Sequence, residues 1–379
     1  MAITKINSLS IPANTVVAAD IVDGSITAAK LASDAASPNP NLIMNSAMTV
    51  FQRGGLSGQS GTTSVYGGVD RWQLELRNVG TYSFSQGTTR PDGFNNSMYV
   101  QCTTADTSLD ANSYGHITYK FEGQDVAVFK KGTSGALPFA LSFWTRSSKT
   151  GTYVVRLRDN TNARYISRNY TISTANTWEY KTIVIPADTT GVFSQGNASA
   201  LSVYFWFSAG TDYTSGSPES AWGTAAGTTL APSQVNLSDT ADAIMFWTGV
   251  KLEAASACTA YEMPTYTEEL KKCQRYFWNI RGDDGADYSA NYGFNLQWSS
   301  ARFSGWNPFF PVVYPAEMRG IPTFSQIGTW STSNGGSLNC TGYRTRTQCC
   351  LGLTGTTHGS GTYQNMNSTD DRLQWDAEL

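Results

Sequence analysis

Two acidic clusters and a handful of loop aromatics are the residues whose types and spacing could do chemistry in this chain. Asp283, Asp284 and Asp287 stand together in RGDDGADYS, and Asp370 and Asp371 are adjacent. Two carboxylates about 5 to 10 Å apart across a cleft are what hydrolysis of a glycosidic bond requires. Oxygen ligands gathered on a loop are what calcium requires. Both clusters lie in Gly- and Ser-rich sequence, which reads as solvated turn, and the first lacks the spacing of an EF-hand loop. Asp239 and Asp242 make a weaker pair of the same kind. The two histidines, His116 and His358, are far apart and give little material for histidine catalysis. The six cysteines, at 102, 258, 273, 340, 349 and 350, contain no Cys-x-x-Cys knuckle and so no zinc spacing. They read as mostly buried thiols, with a bridge from Cys340 to Cys349 or Cys350 left open. The expectation is a non-enzymatic chain with no catalytic residue, no metal and no cofactor.

The aromatics carry a stronger signal. Tyr, Trp and Phe rings stack on sugar faces and leave room for polar side chains to bond the hydroxyls. Most rings here fall on alternating strand faces and are expected in the core. Those in polar loops stand apart: Tyr288 and Tyr292 flanking DYSANY, Trp330 in GTWSTSNGG, Tyr363 in GSGTYQN, and more weakly Trp222. Lys130, Lys131, Arg344 and Arg346 read as surface charges. Arg344 and Arg346 share a strand face in this reading and would meet an acidic glycan.

The elements that must hold these loops are strands. Charged residues are 15% of the 379, against roughly 25% in an ordinary soluble domain, while aromatics reach 12% and Gly numbers 35. Such a composition suits β-sandwiches with many turns. Between 41 and 262, runs such as RWQLELR, SMYVQCT, GHITYKFE, PFALSFWTRS, TYVVRLRD, RYISRNYTI, WEYKTIVIP, LSVYFWFS and AIMFWTGVKLE alternate with period two. Phe139, Leu141 and Phe143 share one face; Tyr153, Val155 and Leu157 oppose Arg156 and Arg158. This predicts a two-sheet sandwich of jelly-roll type. The Gly/Ser/Thr-rich stretch 211–240 predicts a long surface loop.

TYTEELKKCQRYFW, 265–278, predicts the one clear helix, capped by Thr265 or Thr267, with Glu268 and Glu269 in its first turn and an apolar stripe through Leu270, Cys273 and Phe277. Strand patterns resume at 292–298, 308–314, 322–327, 343–353 and 372–379, giving a smaller sandwich. The fold class is therefore all-β: two β-sandwich domains with one short helix at their junction, behind a weakly structured N-terminal segment. The units are 1–40, 41–262 and 263–379. The first carries Ile21, Ile26 and Leu31 five residues apart, a stripe too narrow to fold alone and suited to copies of itself or to a docking partner.

The formal net charge of -3 offers no global field for nucleic acid. No run of about 18 apolar residues predicts a membrane span, and the N-terminus lacks the apolar core of a signal peptide. Neither nucleic-acid binding nor membrane insertion is expected.

The runs NLIMNSAMTVFQRG (41–54) and VDRWQLE (69–75) resemble the opening of a domain widespread in bacteriophage tail-fibre and virion-surface proteins. VKLEAASACTAYEMPTYTEELKKCQRYFW (250–278) resembles that family's junction into its C-terminal domain, and FFPVVYPAEMRGIPTFS with the terminal WDAEL resembles the domain itself. DIVDGSITAAKLA (20–32) is similar to short segments of trimeric phage fibres. The resemblance covers most of the chain in fragments. It implies a homotrimeric virion fibre subunit, assembled in the host cytoplasm, with Ile21, Ile26 and Leu31 as assembly contacts or anchors on other virion proteins. It implies a host-surface glycan as the receptor, met by Tyr288, Tyr292, Trp330 and Tyr363 at the distal tip. A capsid decoration without a receptor role and a glycan-degrading tailspike are the alternatives.

Overall fold

The computed structural model describes residues 39–224, 226–281, 309–328, 330–332, 337–340, 344–354, 364–366 and 372–379; of these, 281, 309, 330–332, 337, 353–354 and 364–366 are described in their backbone alone. The described chain is all-β. Thirteen strands make one large sandwich: β1 Leu56–Gln59, β2 Thr62–Tyr66, β3 Trp72–Arg77, β4 Thr81–Gly87, β5 Ser97–Thr104, β6 Tyr114–Glu122, β7 Phe139–Ser147, β8 Gly151–Asp159, β9 Arg164–Ile172, β10 Glu179–Ile185, β11 Ser199–Ala209, β12 Gly223–Thr224 and β13 Ile244–Ala254. One sheet has the order β1-β4-β5-β13-β7-β10, the other β12-β9-β8-β11-β6-β3-β2. Every pairing within both is antiparallel.

Period-two alternation sets which side chains fill the space between the sheets. Phe139, Leu141 and Phe143 of β7 meet Val203, Phe205 and Phe207 of β11, together with Tyr153, Val155 and Leu157 of β8, in one continuous core. Four strands of the large sandwich escape the sequence reading: β1, β2, β4 and the two-residue β12. The stretch 211–240 is also more than a surface loop. It folds across the outer side of the seven-stranded sheet, where Ser167 Oγ donates to Leu230 O, Asn169 Nδ2 to Pro232 O and Val154 N to Gln234 Oε1. Ala231 and Leu230 thereby join Val154, Tyr204 and Trp206 in a second small cluster.

The helix runs Tyr266–Gln274, shorter than the sequence pattern. Thr265 caps it, its Oγ1 accepting from Glu268 N and donating to the Glu268 carboxylate, a reciprocal cap. Phe277 is not part of a helical stripe: it opens β14 Phe277–Arg281. The remaining strands are β15 Phe309–Val313, β16 Thr323–Ile327, β17 Trp330–Thr332, β18 Ser337–Asn339, β19 Gln348–Thr354, β20 Gln364–Met366 and β21 Arg372–Asp376. They form sheets β14-β21-β16, β15-β19-β18 and β17-β20. Tyr314, Met318, Leu351, Leu373 and Trp375 fill a separate core, with Trp278 stacked on Trp375 at 4.7 Å.

Candidate functional site

The residues that carry the fibre resemblance converge on one buried seam between the large sandwich and strands β14 and β21. Asn45 closes the opening turn by exchanging bonds with Val50, and its Nδ2 also donates to Asp70 O. The Asp70 carboxylate accepts from Gln52 N and Nε2, and Gln52 in turn bonds Phe277 O and Asn279. Arg53 donates to Asp376 at 2.6 Å and to Glu378 at 3.3 Å, with its guanidinium 3.8 Å over the Phe277 ring. Arg71 pairs with Glu378, donates to Lys120 O and lies 3.4 Å over Tyr276. Its backbone has φ +75, a strained setting for a non-glycine residue that fixes where the side chain starts. Glu122 collects Arg275 and the Tyr276 hydroxyl. The sequence motifs therefore build a joint in which Arg53, Arg71 and Glu122 each have an opposite charge beside them and Asp70 is held by the Gln52 amide.

Other buried charge is structural in the same sense. Lys131, read from the sequence as a surface charge, is fully buried: its ammonium lies 2.6 Å from Asp159 and 3.0 Å from Asp188, and also donates to Thr190 O and Gly191 O. Trp222 is likewise no exposed ligand candidate. Its ring packs on Phe139 and its Nε1 donates to Pro186 O. Arg344 and Arg346 precede β19 rather than lying on a strand, and Arg346 pairs with Glu317. Asp239 pairs with Lys149. A cavity of about 320 Å³ lies between β13 and the helix, lined by Lys251, Glu268 and Lys272 among others. Its lysines are already paired, Lys251 with Glu253 and Lys272 with Glu269. Among the described residues, no group of three His, Cys, Asp or Glu side chains is placed to hold a metal ion. All six cysteines are free thiols, and Cys340 beside Cys349 holds the Cys349 thiol below its ordinary value.

Tyr288, Tyr292 and Tyr363 lie outside the described residues, as do Asp283, Asp284, Asp287 and the N-terminal Ile21, Ile26 and Leu31. Trp330 lies on β17, its backbone paired with Met366 of β20; its side chain is outside the description.

Two arrangements on the sandwich were not read from the sequence. The first is a strip of rings on the outer face of the six-stranded sheet. Tyr99 of β5 is paired with Phe246 of β13, and Phe246 with Arg146 of β7; one step along, Thr248, Trp144 and Tyr180 are paired across β13, β7 and β10. Ring centroids lie 5.7 Å apart for Tyr99–Phe246, 6.1 Å for Phe246–Trp178 and 5.3 Å for Trp144–Tyr180, and the Arg146 guanidinium covers Phe246 at 5.3 Å. Tyr180 is 42% exposed, and Tyr99, Trp144 and Trp178 are half-buried. A signal for this was present. In each of these strands the ring sits at the parity opposite to the core: Trp144 between Phe143 and Thr145, Phe246 between Met245 and Trp247, Tyr99 between Met98 and Val100.

The second lies on the outer face of the seven-stranded sheet. Three cross-strand rows run side by side: Tyr165–Arg158–Ser202, Ser167–Arg156–Tyr204–Thr118–Gln73, and Trp206–His116–Glu75. The Arg156 guanidinium sits 4.2 Å over Tyr204, 5.1 Å over Trp206 and 5.5 Å over Tyr165. His116 stacks on Tyr114 at 5.0 Å and meets Tyr204 edge-on at 5.0 Å. Burial holds its imidazole down at about 4, so it is neutral near pH 7.

No protein-family model matches this chain, and no curated protein sequence matches it. Among solved structures, the enzymatically active domain of tailspike protein 4 from bacteriophage CBA120 is similar over 48% of this chain at 15% identity and a TM-score of 0.28. The chain covers 19% of that domain. The family 11 carbohydrate-binding module of a cellulosomal cellulase of Clostridium thermocellum is similar over 54% of this chain and 100% of its own length, at 12% identity and a TM-score of 0.28. A xylan-binding domain from Paenibacillus barcinonensis is similar over 60% of this chain and 99% of its own, at 10% identity and a TM-score of 0.24.

Proposed function

We propose that this chain is a non-catalytic, glycan-binding fibre subunit of a bacteriophage particle. The observation that supports glycan binding is the ring strip on the six-stranded sheet. A monomeric surface rarely spends four partly exposed large rings side by side without a partner. Rings with centroids 5.3 to 6.1 Å apart and tilted 45 to 55° to one another, with Arg146 and Gln101 at hand for hydroxyls, suit an oligosaccharide that twists as it crosses the strands. The fibre part of the reading rests on the ordered fragments NLIMNSAMTVFQRG, VDRWQLE, CQRYFW and WDAEL, which resemble phage fibre proteins and which the fold uses together in one joint. In this reading three copies associate through Ile21, Ile26 and Leu31. Several weak sites on one particle then act together through their high effective concentration.

The test is a glycan-array screen of the full chain beside Trp144→Ala and Trp178→Ala. Both side chains are half-buried on an outer face, so both variants should fold and melt within a few degrees of the parent. Expected is a loss of at least tenfold in affinity for whichever oligosaccharides the parent binds, with no release of new reducing ends by any of the three proteins. Binding unchanged in both variants would move the glycan site away from this strip. Release of reducing ends by the parent would replace the binding reading with a catalytic one. Light scattering of the full chain addresses the assembly: three times the chain mass is expected, and a shift to monomer in Ile26→Asp.

A further inference from the structure

Five cations are buried among the described residues: Arg53, Arg71, Lys131, Arg156 and Lys251. Four have a carboxylate at salt-bridge distance, namely Arg53 with Asp376, Arg71 with Glu378, Lys131 with Asp159 and Lys251 with Glu253. Arg156 has none. It is 6% exposed; its Nε is buried without a hydrogen-bond partner, as are those of Arg53 and Arg71, but unlike theirs its guanidinium has no carboxylate at salt-bridge distance. Around it lie rings, not anions: Tyr204, Trp206 and Tyr165. A buried guanidinium carries five donors in a planar fork and is costly to leave unpaired. The protein spends that cost here, on a sheet face, and avoids it at the other four places.

The surroundings point the same way. Arg158, whose Nε is also without a partner, lies one step along β8 with its guanidinium 5.4 Å over Tyr165. Gln73 Oε1, at the far end of the same row, and Trp206 Nε1, in the next row, add unpartnered polar atoms. The near carboxylate is Glu75, three strands away in the row of His116. Tyr165, Arg158 and Glu75 are half-exposed, so the group is open at its rim.

We infer that Arg156, with Arg158 beside it, is a subsite for an oxyanion carried on a sugar ring: the carboxylate of an acidic glycan, held by the guanidinium fork while Tyr204 and Tyr165 flank the ring. Bidentate recognition of a planar carboxylate is the task that Arg performs and Lys does not. This inference rests on the glycan reading above but uses the opposite sheet, so the two can fail separately.

The experiment measures binding of oligosaccharide hexamers of galacturonate, of hyaluronan and of α2,8-linked sialic acid to the full chain. Each is supplied as the free acid and as its methyl ester, with free glucuronate and inorganic phosphate as separate probes. Arg156→Met, Arg156→Lys and Trp178→Ala are run in parallel, with thermal melts to show that each variant is folded. Expected is at least one acid bound tenfold or more tighter than its ester, a preference abolished in Arg156→Met, not restored in Arg156→Lys, and retained in Trp178→Ala at lower affinity. Acid and ester bound equally by the parent would overturn the inference and leave the ring strip standing. No binding of either form would overturn both. Equal binding of phosphate and the acidic hexamers would overturn the sugar part, reducing the site to one for a free anion.

Discussion

Arg71 and Arg156 are both buried arginines lying over tyrosine rings, yet they belong to opposite kinds of surroundings. Arg71 sits in the joint between the large sandwich and β21, with Glu378 at its Nη1 and Lys120 O at its Nη2. Arg156 sits on a sheet face with rings for company and no carboxylate. The charges follow: Glu378 pushes the Arg71 guanidinium up despite its burial, whereas burial pulls Arg156 down. A charge that the fold completes belongs to the fold. A charge that it leaves incomplete, at the cost of burying it, is where an outside partner is expected.

The largest effect should come from the joint. Arg71→Met leaves Glu378 buried with Arg53 alone at 3.3 Å and leaves Lys120 O without its donor. Breaking a buried pair from one side costs about 3–5 kcal/mol. Denaturant titration should show this as a lower midpoint, with β14 and β21 released from the sandwich before the sandwich itself melts. A loss under about 1 kcal/mol would mean that the joint is not held by its charges, and the contrast with Arg156 would lose its first half.

The sheet face makes a prediction in pH. His116 is neutral when folded, with its imidazole at about 4 against 6.5 for the ordinary group; burial dominates, Glu75 opposes the shift and Arg156 and Lys120 reinforce it. Between these values the unfolded chain binds a proton at this residue that the folded chain does not. Stability contributed here is full above pH 6.5 and is lost as pH falls towards 4, by about 3 kcal/mol in all. His116→Gln should remove that part of the acid slope while leaving the slope from other groups. Equal losses in parent and variant between pH 6.5 and 4 would show that the ring is charged when folded, and that this face tolerates cations better than the comparison claims.

These two regions also differ in how far the sequence revealed them. The joint was legible in outline: Gln52-Arg53-Gly54, Asp70-Arg71-Trp72, Gln274-Arg275-Tyr276 and the terminal Trp375-Asp376 stood out as fragments in order. That Arg53 meets Asp376, 323 residues on, was not legible. The sandwich strands were legible wherever one face is continuously apolar, as in β7 and β11. They were lost where side chains are small and polar, as in LSGQ of β1, and where the alternation is short, as in TYSFSQG of β4, whose Tyr82 and Phe84 are nonetheless fully buried in the core. Lys131 was misread because a charge run gives no hint that Asp159, Asp188 and two carbonyls will close around one of its members. The ring strip is missed for a different reason: rings on alternating strands are expected in the core without separating the two faces, and parity within each strand places Tyr99, Trp144 and Phe246 on the other side. Arg156 and Arg158 were correctly set opposite Val155 and Leu157. Nothing local shows that Arg156 will be buried among rings of β9 and β11 while Arg158 stays half-exposed.

The smallest expected effect is the most informative. Arg156→Met replaces a buried, unpaired guanidinium by an apolar chain of similar length, among Tyr204, Trp206 and Tyr165. The substitution gives up three cation–π contacts, each contributing about 1–2 kcal/mol when desolvated. It also removes the desolvation of a cation that no carboxylate offsets, which costs several kcal/mol. The two nearly balance, so stability should be unchanged or higher by about 1 kcal/mol, measured by denaturant midpoint without added glycan. Set beside Arg71→Met, the same chemical change then has opposite outcomes in one molecule. A loss comparable to that of Arg71→Met would mean that the rings alone satisfy Arg156, and that its place on the sheet is explained by packing. A neutral or positive change would leave the buried charge without a structural reason, which is the condition under which a ligand becomes its explanation.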